Sequence, residues 1–416
     1  MHDKPDAERT DPRVLGWMAG FPPPLDKRVS MASDSRAFPR TRYTFSHMRE
    51  MLPTRAVRRG PGPASMLSAA ESGAIAEADV DALRFVDGTG VERRFDEAMA
   101  LCYTDGIIVL HRGRVVYERY FGALDRVTPH LAMSVTKSFI GTLAAMLVHE
   151  REIDPARPVI HHIPELRESA WGDATVRQVM DMTTGLDYSE VYADPSATIW
   201  DYARACGSMR KPPDYRGPSS VDQFLLTVRK RGEHGEGFAY KTVNTEVLAW
   251  ILRRVTGLSV AELMSRRLWQ PLGAEEDAYF AVDEAGQETC GGGLNLTLRD
   301  LTRFGEALRA EGAFDGRQII DPAVVDTIRR GGDRRLFESG GYPLLPGWSY
   351  ANQWWLSHDA HGMFEARGIH GQRLHVDPHA QMTIARFGSH PIAANAGNDP
   401  YTHPAFRALA RRLLEA

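Results

Sequence analysis

The segments of this 416-residue chain that read as strand lie far apart, and their separation constrains the fold more than any other feature. Between Gly106 and Gly122 two β-branched runs, Ile107 to Leu110 and Val115 to Tyr117, flank His111-Arg112-Gly113-Arg114, which is a hairpin signature. Strand signals return only at GMFEARGIHG (362–371) and RLHVDPHAQMTIARFG (373–388), the latter as two short runs turned at Asp377-Pro378. The intervening chain is dominated by helical patterns. In SVTKSFIGTLAAMLVHE the apolar residues Ile140, Leu143, Ala144, Leu147 and Val148 recur at i, i+3, i+4, i+7 and i+8. Further patterns follow at 175–182, at 221–230 and at 245–257, the last with Asn244 as N-cap candidate and Gly257 as C-cap.

The predicted architecture is therefore α+β: an antiparallel sheet flanked by helices, with a mostly helical domain inserted into it. An α/β body over 66–150 and 286–416 is interrupted by the helical domain over 151–285, and FRALARRLLEA closes the chain as an amphipathic helix. Residues 1–65, with FPPP at 21–24 and RGPGPAS at 59–65, read as an irregular N-terminal arm.

Composition narrows the function classes. A chain that is 43% hydrophobic and 25% charged can bury a core. Its net charge of −4 gives no grip on phosphate backbones, so nucleic acid is not an expected partner. Cys102, Cys206 and Cys290 are odd in number and widely spaced, which suits a reducing compartment. MHDKPDAERTDPR lacks the features of a signal peptide, and the run around Ile140 to Val148 is too short for a bilayer. A cytoplasmic protein without a membrane partner is expected. No G-x-S-x-G elbow or Walker loop is present, and His149-Glu150 is followed at the zincin offset by Ile153, so neither metal nor cofactor is expected.

The chemistry is concentrated in Ser134-Val135-Thr136-Lys137. A spacing of three on a helix puts both side chains on one face, where a buried amine can lose its charge and activate the hydroxyl. An ordinary N-cap serine with a surface lysine is the plain alternative. Ser208-Met209-Arg210-Lys211 repeats the spacing but runs into Pro212-Pro213 with no apolar helix behind it, and reads as loop. Tyr240, in the loop entering the helix of FAYKTVNTEVLAW, is either a satisfied rim tyrosine or a phenol that shuttles protons. In GIHGQ, Gly368 and Gly371 permit close approach of another backbone, although a strand-end turn would also use them.

Taken in order, MSVTKSFIGT, TVRQVMDMTTGLDY, FAYKTVNTEVLAWILRRVTG, GGGLNLTLRDLTRFGEAL and QWW followed by GIHGQ resemble the serine hydrolases related to class C β-lactamases and penicillin-recognising DD-peptidases. Within that group the chain most resembles the 6-aminohexanoate-dimer hydrolases and related carboxylesterases. The resemblance implies an acyl-enzyme on Ser134, with Lys137 as general base and Tyr240 as proton donor to the leaving group. It implies an oxyanion hole from the backbone N–H groups of Ser134 and Ile369, and substrate contact by Tyr192. His370 is a further substrate-binding candidate, with a structural histidine as its alternative. The implied partner is a small-molecule amide or ester, and a homodimer stays open.

Two departures bear on the substrate. Tyr240 is followed by Lys241-Thr242, where β-lactamases and DD-peptidases carry Tyr-x-Asn or Ser-x-Asn. Ala366-Arg367-Gly368 stands where they carry Lys-Thr-Gly or Lys-Ser-Gly, leaving Arg367 to replace the charge that holds a substrate carboxylate. Linear amides or esters are favoured over β-lactams. The alternatives are a β-lactamase or DD-peptidase, and a catalytically inactive homologue used for binding.

Overall fold

The computed structural model of the chain describes residues 6–31, 34–69 and 75–415, so residues 1–5 and 32–33 of the expected arm lie outside it, as do 70–74 and Ala416. The elements that position the site are, in chain order, β1 (Thr54–Val57), β2 (Thr104–His111), β3 (Arg114–Tyr120), β4 (His130–Leu131), α1 (Val135–His149), α2 (Ile199–Ala205), α3 (Thr242–Thr256), β5 (Ala278–Ala281), β6 (Leu294–Leu296), α4 (Leu298–Arg309), β7 (Ser349–Ala351), β8 (Trp354–Leu356), β9 (Phe364–Gly368), β10 (Gln372–Asp377), β11 (Met382–Gly388) and α5 (Asp399–Leu414).

The two distant strand regions join in one antiparallel sheet in the order β7-β8-β9-β10-β11-β2-β3. Their seam is β11 against β2, with Met382 opposite His111, Ile384 opposite Val109 and Arg386 opposite Ile107. The run in β2 is apolar without alternation because both faces are covered. Ile107 and Val109 pack with Phe406 and Leu409 of α5, whereas Ile108 and Leu110 join the core that holds Phe139 of α1 and Phe304 of α4. Burial of each such side chain contributes roughly 1.5–3 kcal/mol, which fixes β2 between the two helical layers. The hairpin turns through Arg112 and Gly113, both at positive φ (51° and 79°), the pair of left-handed conformations that matches the twist of the strands.

A second antiparallel sheet runs β1-β5-β6-β4. The arm thus carries a strand, with Thr54 paired to Ala281 and Val57 to Ala278. TRAV shows no period-two hydropathy because only Val57 is buried. β5, AYFA, is buried at all four positions and lies within the stretch whose sequence reads as helical.

Two helix boundaries differ from expectation. α3 starts at Thr242 with Lys241 as its N-cap. Asn244 lies inside the first turn, fully buried, its Oδ1 accepting from Trp171 Nε1 (2.9 Å) and Thr184 Oγ1 (3.0 Å). Tertiary partners have claimed the side chain that local capping would use. α5 begins before the apolar stretch at Phe406 and contains Pro404. The carbonyl of Pro400, which Pro404 has no N–H to reach, accepts from Gly88 N instead (2.6 Å). Among the described residues, no helix is long and apolar enough to cross a membrane.

Candidate active site

Ser134 caps α1 immediately after Met133, whose φ of 48° is a left-handed conformation unusual for a long side chain. This bend places the serine at the helix start, where backbone N–H groups have no intrahelical acceptor. Lys137, one turn on, is 1% exposed. Its Nζ stands 2.7 Å from Ser134 Oγ and donates to the carbonyl of Gly291 at 2.5 Å. Burial drives the ammonium down to about 8, against the opposing pull of Glu190 and Glu246. A lysine held between a hydroxyl and a carbonyl, with no carboxylate in contact, can shed its proton near neutral pH.

Tyr240 is half-buried at the entry to α3 and its phenol faces Ser134. The ring packs on Trp355 (centroids 5.3 Å apart), and Lys137 Nζ lies 5.1 Å from its centroid. Burial holds the hydroxyl well above its ordinary value, with the contact to Ser134 pulling the other way, so the phenol keeps its proton.

The end of β9 reaches the serine from the other side. At Gly368 a Cβ would sit 2.9 Å from the carbonyl oxygen of Ala132 and 3.1 Å from Met133 Cβ, so only glycine lets the strand approach this closely. Two cavities meet here, and Ser134, Ile369 and Tyr192 line both. The first extends along Leu131, Met133, Trp200 and Tyr202 to Arg36. The second holds Tyr240, Glu190, Tyr342, Leu344 and Trp355.

His370 is not brought to either cavity. It turns the chain at φ 63°, its Nδ1 lies 2.7 Å from the His390 carbonyl, and its ring meets Phe45 edge-on at 5.3 Å. Burial lowers it to about 4, with the His390 carbonyl opposing, so it stays neutral. Tyr192 forms the wall between the cavities and donates to Glu190 Oε1 at 3.2 Å. Of Asp187, Glu190, Asp194 and Asp201, only Glu190 lines either cavity, accepting also from Thr242 N (2.6 Å) and Thr242 Oγ1. Asp187 pairs with Arg231 (3.4 Å), Asp194 caps Ser196 N (2.8 Å) and Asp201 pairs with Arg204 (2.9 Å).

Arg367 lines the second cavity with Asp399, but its guanidinium belongs to a buried charge cluster. It meets Glu365 at 3.1 Å and Asp399 at 2.6 Å, and Arg373 meets the same two carboxylates at 3.3 and 2.5 Å. The guanidinium is matched inside the protein and is not left over to hold a substrate carboxylate.

Glu246, not singled out by sequence reasoning, is 2% exposed and accepts from Gly291 N (2.7 Å), Cys290 N (3.0 Å) and Tyr202 Oη (2.5 Å). It thereby positions the carbonyl that receives Lys137. The signal available was an acid immediately before the apolar run Val247 to Leu252, followed far along the chain by Gly291-Gly292-Gly293.

Residues 91–402 match the family model described as Beta-lactamase. The chain is 36% identical over 356 residues to 6-aminohexanoate-dimer hydrolase of Paenarthrobacter ureafaciens, an alignment covering 85% of this chain and 86% of the relative. Among solved structures, a Bacillus anthracis protein provisionally named as a 6-aminohexanoate-dimer hydrolase superposes with a TM-score of 0.84 at 30% identity, covering 94% of this chain and 99% of that one. The fold is shared with EstCE1, a hydrolase with promiscuous acyltransferase activity, at a TM-score of 0.59 and 17% identity over 76% of this chain and 96% of that one.

Proposed function

The chain belongs to the beta-lactamase family, as a serine hydrolase akin to 6-aminohexanoate-dimer hydrolase, and from that premise we propose that it cleaves linear amide or ester bonds through an acyl-enzyme on Ser134. One observation carries the assignment of residues: Ser134 Oγ lies 2.7 Å from the Nζ of a buried lysine lowered to about 8.

In acylation, Lys137 takes the proton of Ser134 as Oγ attacks the carbonyl carbon. The N–H groups of Ser134 and Ile369 receive the developing oxyanion, each such donor commonly lowering the barrier by about 3 kcal/mol. Collapse expels the amine or alcohol, which takes its proton from Tyr240, and the phenolate is restored by the Lys137 ammonium. In deacylation a water gives its proton to the same pair and adds to the acyl carbon, and Ser134 leaves with a proton returned to Oγ. Tyr192, between the cavities, contacts bound substrate. The pairing of Arg367 with Glu365 and Asp399 supports linear substrates over β-lactams, because the cation is already matched. The proposed compartment is the cytoplasm, supported by the odd and widely spaced cysteines.

The test is covalent labelling by a fluorophosphonate read by intact mass. The wild type is expected to gain one adduct on the peptide containing Ser134, and Ser134→Ala none. An equal adduct on Ser134→Ala would refute the assignment.

A further inference from the structure

The first cavity carries a charge that the proposed chemistry does not use. Arg36 lies at its rim, outside the residues matched by the family model. Its Nη1 donates to the carbonyl (2.8 Å) and to Oγ (2.8 Å) of Ser208, in the loop that repeats the Ser-x-x-Lys spacing. Both acceptors are neutral. No carboxylate among the described residues pairs with Arg36, and none of the residues lining this cavity is acidic. Its Nε and Nη2 make no hydrogen bond within the described residues, which leaves one edge of the guanidinium fork for a ligand. The remaining walls are largely apolar, formed by Met48, Leu131, Met133, Ile199 and Trp200.

The direction of the substrate follows from Tyr240, which lines the second cavity and not the first. A leaving group protonated by Tyr240 departs into the second cavity, so the acyl chain occupies the first. We propose that Arg36 binds a terminal carboxylate on the acyl chain, making ω-carboxyacyl esters or amides, the half-derivatives of linear dicarboxylic acids, the preferred acyl donors. This inference rests on the assignment of Ser134 and Tyr240 above. The apolar walls accommodate the methylenes, and the guanidinium meets the carboxylate with charge-assisted hydrogen bonds. An acyl chain ending in an ammonium would face Arg36 with like charge and without an acid to receive it.

The test compares kcat/KM for p-nitrophenyl half-esters of succinate, adipate and suberate with that for neutral p-nitrophenyl esters of matched length and for the p-nitrophenyl ester of 6-aminohexanoate. The best half-ester is expected to exceed its neutral counterpart about tenfold at low salt, a margin held down by solvent at the rim. In Arg36→Ala the ratio falls to about one. In Arg36→Glu it inverts in favour of the amino-ended ester, a result that loss of folding cannot produce. A half-ester preference unchanged in both variants would overturn the proposal, as would a wild type that prefers the neutral or amino-ended ester over every half-ester. If the wild type turns over none of these esters, the hydrolytic assignment fails and this inference falls with it.

Discussion

Lys137 and Arg373 are equally buried cations, each 1% exposed, and they behave in opposite ways because of their own basicity and what surrounds them. Lys137 meets a hydroxyl and a carbonyl, so burial is only partly opposed and the amine falls to about 8. Burial pulls Arg373 down as well, but Glu365 and Asp399 outweigh it and hold the guanidinium above its ordinary value. A buried lysine beside neutral acceptors can become a base, whereas a buried arginine beside carboxylates is a fixed strut. The strut supports the base: Arg367 and Arg373 flank the turn that carries Ile369 to Ser134.

The comparison breaks most severely at Lys137. Lys137→Arg keeps the charge but not the capacity to lose it, and is expected to lower kcat/KM for a p-nitrophenyl ester by about a thousandfold. An active Lys137→Arg enzyme would remove the lysine from the chemistry. At the strut the order reverses. Glu365→Ala leaves Arg367 and Arg373 with one carboxylate between them in a buried site, and should cost about 3 kcal/mol of stability in urea titration. A variant as stable as the parent would show the cluster to be redundant.

These two centres also differ in how far they could be read from sequence. Ser134 and Lys137 are three residues apart on one helix, so spacing alone brings them together, and the apolar pattern after them locates the helix. The approach of Ile369 was foreshadowed by its flanking glycines. Partners supplied by other elements left no local trace. Arg367 is matched by Asp399 on α5, and Asn244 is drawn into its helix by Trp171 and Thr184, so neither an unpaired arginine nor a capping asparagine survives. For His370, a substrate-binding candidate with a structural histidine as its alternative, a positive φ turns the ring toward Phe45. β1 had no pattern to detect, since one of its four residues is buried.

Smaller perturbations sharpen the contrast. Tyr240→Phe removes the donor to the leaving group but not the nucleophile, and should slow acylation by an anilide about a hundredfold while sparing the acylation burst with the p-nitrophenyl ester, whose leaving group departs without a proton. Equal losses in the acylation rates of both substrates would contradict its role as donor to the leaving group. Glu190 raises Lys137 through its charge. Glu190→Gln should therefore move the midpoint of the kcat/KM profile to lower pH by about half a pH unit, and an upward move would contradict the electrostatics.

The central claim is that Lys137 must be neutral for Ser134 to attack, and the pH dependence of fluorophosphonate inactivation of the wild type tests it most directly. Because the active form is the deprotonated amine, the rate should rise about tenfold per pH unit on the acid side and level off above about 8, with Tyr240 still protonated there. A rate independent of pH through this range, or one that falls as pH rises, would contradict the account.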